Sequence, residues 1–120
     1  MKTAFAIVAL GSIVAAQACA AASLRTNPFN ERVRALDDWS RRAALSRAIV
    51  DSGGRCGRVT LVNDDGPFGN LGRWTVRCTP GGDHAVYMGP DGSVQMRDCA
   101  EVRSLKLPAC TLPPATPVRR

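Results

Sequence analysis

The sequence has little of what active sites are usually built from. His84 is its one histidine, Lys2 and Lys106 are its only lysines, and its aromatics are two tryptophans, one tyrosine and three phenylalanines. A single histidine cannot make a multi-histidine metal site, and the cysteine spacings contain no Cys-x-x-Cys pair to hold a metal by thiolates. No metal and no cofactor is therefore expected. Dense basic runs are missing as well: the arginines are dispersed, with acids among them, which argues against nucleic acid as a partner. There is no internal repeat, and 120 residues leave room for one domain with a modest core.

The N-terminus has one cation, Lys2, then an apolar run from Ala4 to Ala16 and a small-residue stretch, Ala18-Cys19-Ala20-Ala21-Ala22. That order is the order of a cleavable secretory signal over residues 1–20. The run is shorter than the roughly 20 residues of a membrane span, although the alanines through Leu24 bring it close. A retained anchor is the alternative, and membrane association would follow from it. Lipidation of Cys19 fits less well, because Ala16-Gln17-Ala18 departs from a lipoprotein box. Residues 21–27 read as a linker, 28–110 as the domain and 111–120 as a Pro-rich basic tail.

Removal of the signal takes Cys19 with it and leaves Cys56, Cys78, Cys99 and Cys110. Four cysteines in an exported domain read as two disulfides in an oxidising compartment, periplasmic or secreted. The formal net charge of +6 comes almost wholly from arginine, which suits bidentate contacts to carboxylate or phosphate.

Asn27-Pro28 reads as a helix entrance, no Gly or Pro interrupts Phe29 to Ser52, and Gly53-Gly54 is a stop. The apolar residues lie on two faces: Phe29, Val33, Leu36, Ala43 and Trp39 on one, Ala44, Leu45, Ala48 and Ile49 on another. The expectation is a kinked or two-part helix that breaks near Asp37-Asp38-Trp39-Ser40, with Asp38 or Ser40 capping the second piece. Beyond Arg55 the signals turn to strands: Val59 to Asn63, Arg73 to Thr79, His84 to Met88 and Ser93 to Arg97, joined by Gly-, Pro- and Asp-rich turns. Asp98-Cys99-Ala100-Glu101 fits a capping box, for a short helix running to about Lys106. The fold class is α+β, a kinked N-terminal helix packed on a four-stranded antiparallel meander and stapled by disulfides.

Helix then meander, with Trp74-Thr75-Val76-Arg77, His84-Ala85-Val86-Tyr87-Met88 and Gly89-Pro90-Asp91-Gly92-Ser93-Val94, resembles the PepSY-type α+β module of secreted bacterial proteins over residues 42–98. The resemblance implies an inhibitory, chaperoning or binding domain and carries no catalytic residues to transfer. The four cysteines are not part of that pattern.

Sequence leaves three disulfide pairings open, and the meander favours one of them. Cys78 and Cys99 would be separated by a whole strand, about twice the roughly 4.8 Å interstrand spacing and beyond reach of a bridge. Cys56 with Cys78 is preferred, leaving Cys99 with Cys110. Cys56 is out of parity with Val59 and Leu61, and a bulge at Gly57 would repair that.

His84 reads as an exposed turn histidine, and Asp37-Asp38 point in different directions on a helix. Asn63-Asp64-Asp65-Gly66 reads as an Asx-type turn, with a calcium loop as the alternative, although the distal glutamate is missing. The chain is accordingly expected not to be an enzyme. Arg73, Arg77 and Arg97 fall on the polar side of their strands. With Arg55 and Arg58 they form the candidate binding surface, a basic patch on an open sheet face. The expected function is a non-enzymatic interaction module, inhibitory or otherwise, for a protein or an anionic envelope component. An accessory subunit on the periplasmic side of a membrane complex and a small secreted hydrolase are the alternatives.

Overall fold

The computed structural model describes residues 26–114. The segment expected to be a signal, Cys19 and the last six residues lie outside them, as does the question of cleavage. Among the described residues two helices come first, α1 (Pro28–Ala35) and α2 (Asp38–Asp51). Four strands follow: β1 (Val59–Phe68), β2 (Leu71–Cys78), β3 (Gly82–Met88) and β4 (Val94–Asp98), then a single turn of helix, α3 (Cys99–Val102). The strands form one antiparallel sheet in the order β1-β2-β3-β4, the expected meander in an α+β fold.

Local chemistry sets each element. Asn27 caps α1 by accepting from the Asn30 amide at 2.9 Å, and Pro28 fills the first helical position. The helix is not one kinked rod. Leu36 is extended, and Asp37, rather than Asp38 or Ser40, caps α2 by accepting from the Ser40 amide at 2.7 Å. Arg41 closes the break, its guanidinium donating to the carbonyls of Val33, Arg34 and Leu36 at the end of α1. The Val33 carbonyl also accepts from the Leu36 amide at 3.3 Å, and the guanidinium adds side-chain donors at a helix end whose last carbonyls have no intrahelical partner.

β1 is longer than its sequence signals. It runs on through Asn63-Asp64-Asp65-Gly66-Pro67 with register shifts at Thr60 and Asp65, and Gly69 (φ 62°) makes the corner into β2. β1 is an edge strand, so Pro67 removes no ladder bond the sheet requires. The bulge falls at Thr60 and not at Gly57. Val59 is consequently buried, Leu61 is turned outward and Val62 packs inward, reversing the expected pairing of Val59 with Leu61 on one face.

One sheet face carries the main core. Leu45 and Ile49 of α2 and Val33 of α1 pack on Val59, Trp74, Val76, Val86 and Met88. Trp74 is 2% exposed and its indole N–H donates to Asn30 Oδ1 at 2.7 Å. Gly72 is required where α1 crosses β2, since a Cβ there would lie 2.0 Å from Asn30 Cγ. The disulfides join Cys56 to Cys78 and Cys99 to Cys110, the pairing that strand order favours. They fit an oxidising, extracytoplasmic environment. Among the described residues no helix is long and apolar enough to cross a membrane.

Candidate binding surface

The second sheet face, expected to be open and basic, is covered. After α3 the chain crosses it, and Val102, Leu107 and Cys110 pack on Ala85, Tyr87 and Leu71. Of the tail, Thr111 to Pro113 dock as well, through Asn63, Asp65 and Arg77. Arg73 lies beneath this segment, 4% exposed. A guanidinium is tolerated there only if every donor is satisfied, and all three of its nitrogens are. Nη1 pairs with Asp65 Oδ2 at 3.1 Å, Nε donates to Tyr87 Oη at 3.3 Å, and Nη2 donates to the carbonyls of Pro108 (2.5 Å) and Ala109 (3.2 Å). Asp65 is satisfied in turn by Asn63, Thr75 and Thr111.

Arg77 is engaged too. It makes a bidentate pair with Asp83 at 2.8 and 2.9 Å and donates to the Pro113 carbonyl. The hydrogen bonds to Asp83 hold its guanidinium protonated more firmly than usual. Arg97 is exposed on this same face, beside Tyr87, Leu105 and Leu107. Arg55 and Arg58 are exposed elsewhere, flanking Cys56 at the start of β1. The five arginines proposed from sequence therefore do not form one patch: two stabilise the fold, one stands on the second face and two stand at the entrance to β1.

Other polar candidates are also accounted for. His84 is buried rather than exposed, with Nε2 3.2 Å from the Arg55 carbonyl. Its Nδ1 lies 2.9 Å from Asp98 Oδ1 without the alignment of a hydrogen bond. Asp98, expected to cap a helix to Lys106, makes no side-chain cap, and α3 ends at Val102. Asp64 accepts from the Gly66 amide as in an Asx turn and pairs with Arg34 at 2.8 Å.

Trp39, which helical spacing puts on one face with Phe29, Val33, Leu36 and Ala43, stands outside the core. It is 83% exposed, against 2% for Trp74. Trp39, Ala43 and Val50 (51% exposed) form an apolar line on the outer side of α2, opposite Leu45 and Ile49. The two-sided apolar pattern of this helix was the signal: one side is core and the other is not. Between α2 and the start of β1 lies a groove of about 420 Å³ with Trp39, Ala43 and Val59 as its apolar lining and Asp38, Arg42, Ser46 and Arg58 as its polar lining. Arg42 is held by Asp38 at 2.9 Å and donates to the Val59 carbonyl at 3.0 Å. Among the described residues no ion pair joins Arg47, Arg55 or Arg58 to a carboxylate.

Acid sensitivity follows from the caps. Hydrogen bonding from Ser40 holds the Asp37 carboxylate below its usual range, and Ser93 does the same for Asp91. A carboxylate whose pKa falls on folding contributes stability that is complete above its unfolded value, near 3.8, and is lost as pH falls through the lower folded value. The thermal midpoint is expected to decline below about pH 4, and Asp37→Asn to make that decline shallower. A decline of equal slope in Asp37→Asn would remove Asp37 from the account.

Comparison of the chain with known protein families, with curated proteins and with solved structures finds no match.

Proposed function

We propose that this chain is a non-enzymatic binding module of the periplasm or the extracellular space, and that it takes an acidic protein partner through the arginines at the α2 and β1 side of the molecule. One observation carries this reading: Arg47, Arg55 and Arg58 stand exposed and without an ion-paired carboxylate on α2 and at the entrance to β1, whereas Arg34, Arg42, Arg73 and Arg77 each have a carboxylate and the other exposed arginines without an ion pair among the described residues, Arg32, Arg97 and Arg103, lie elsewhere. Unpaired guanidinium groups on a disulfide-locked scaffold attract carboxylates from a distance and bind them in fixed geometry. The resemblance to PepSY-type modules belongs to the same proposal, supported by the order of helix and four-stranded meander.

Binding to immobilised polyglutamate, followed across a salt series, tests it. Reversing Arg55 and Arg58 together to glutamate is expected to weaken retention about tenfold, since exposed pairs contribute up to about 1 kcal/mol each and the reversal adds repulsion. Arg97→Glu, on the other face, is expected to change it little. Equal retention by wild type and the double reversal would sink the proposal, as would a loss with Arg97→Glu of the same size.

A further inference from the structure

We infer that the groove beside Trp39 is the docking site itself, and that its occupant is an acidic segment of a partner protein that presents a bulky apolar side chain. The inference rests on the binding reading above and adds the chemistry of the partner. Three observations lead to it.

Trp39 is the largest exposed apolar side chain among the described residues, and its neighbours Ala43 and Val59 give the groove an apolar floor. A tryptophan left this exposed contributes nothing to the core, whereas tryptophan is among the residues that most often dominate a protein interface. Asp38, the carboxylate of the lining, is paired with Arg42 at 2.9 Å, whereas Arg58 lines the groove without a carboxylate partner, and Arg47 stands on the next position of α2 after Ser46. An occupant with carboxylates on either side of an apolar anchor would match both features. The groove is already formed between a helix and a strand locked by Cys56–Cys78, so little ordering is needed on this side of the interface.

Two other occupants match the surface less well. A second copy would bring Arg47 and Arg58 against their own equivalents in a chain of formal charge +6, because a two-fold interface uses the same patch twice. A lipid surface would call for a broad apolar face. Here Trp39, Ala43 and Val50 form a narrow line with Asp38 and Asp51 at its ends.

The test uses the full secreted chain and two labelled peptides, one rich in glutamate with a central leucine, the other identical but with serine at the centre. Fluorescence anisotropy is expected to show the leucine peptide binding about tenfold more tightly. Trp39→Ala is expected to weaken it about thirtyfold and to erase the difference between the two. Trp39 emission should shift to the blue and become shielded from acrylamide when the leucine peptide binds. The thermal midpoint of Trp39→Ala should match wild type, since the side chain is outside the core.

If both peptides bind alike, and Arg55→Glu with Arg58→Glu abolishes both, the groove is refuted while the charge reading survives. If neither peptide binds wild type, both readings fall. A blue shift with phosphatidylglycerol vesicles and none with peptide would overturn the inference in favour of a membrane. Sedimentation showing a dimer that Trp39→Ala dissolves would overturn it in favour of self-association.

Discussion

Asp65→Ala is expected to lower stability by about 3–5 kcal/mol, the range found when one partner of a buried ion pair is removed. The side chains of Arg73 and Asp65 are 5% and 3% exposed, so the guanidinium would be left buried without its counter-charge. The loss would spread beyond the pair. Asn63, Thr75 and Thr111 would each lose an acceptor, and Thr111 of the C-terminal segment would keep only its bond from Asn63. Urea unfolding reads the effect as a lower midpoint at nearly constant slope. Replacing both partners, with Asp65→Leu and Arg73→Met together, is expected to recover part of the loss, because an apolar pair leaves no buried charge. A loss below about 1 kcal/mol in Asp65→Ala would mean that water reaches Arg73 and that the second face is not closed.

Removing the disulfides has the other large effect. Cys56–Cys78 spans 22 residues and Cys99–Cys110 spans 11, and loop-closure entropy gives each about 3 kcal/mol. A domain of this size has a total stability of roughly 4–13 kcal/mol, so reduction of both bridges is expected to unfold it near body temperature. The two bridges should differ in what they release. Cys56→Ser with Cys78→Ser frees the entrance to β1, next to the main core. Cys99→Ser with Cys110→Ser loosens the C-terminal cover and should speed proteolytic cleavage between residues 103 and 114 before global unfolding. A thermal melt unchanged by thiol reductant would contradict the stapling role of both.

Much of the fold was legible because its signals are local. Asn27-Pro28 and Gly53-Gly54 bound the helical region, and the turns at Pro80-Gly81 and Gly89-Pro90 separate strands that lie as expected. Strand order then selected the disulfide pairing, since only neighbouring strands bring two Cα atoms within bridging distance; Cys56 and Cys78 are 5.0 Å apart. What was not legible depends on partners remote in sequence. Alternation along β2 puts Arg73 and Thr75 on the face opposite Trp74 and Val76, where they lie, but buried rather than solvated. It says nothing of a segment 35 residues later that arrives to cover them. Asp65 looked like a turn residue because nothing local shows that a bulge delivers it to Arg73. The candidate surface had the same weakness. Arg55, Arg58 and Arg97 are exposed as expected, but only tertiary structure shows that Arg73 and Arg77 are committed internally. In Trp39 the error ran the other way: helical spacing grouped it with core residues, whereas the turn between α1 and α2 leaves it outside.

The second face now looks like an intramolecular interface, and the first is filled by the helices. Exposed contact chemistry stands on the outer side of α2 and at the start of β1, and at Arg97 and Leu105 on the second face. The most direct measurement is a two-dimensional amide and indole NMR spectrum of the labelled protein, recorded as the leucine-centred acidic peptide is added. The indole resonance of Trp39 and the amides of Ala43, Ser46 and Arg58 should shift together, while the indole of Trp74 and the amides of Tyr87, Arg97 and Leu107 stay in place. Shifts centred on Arg97, Leu105 and Leu107, with Trp39 unmoved, would contradict the account and return the binding surface to the sheet.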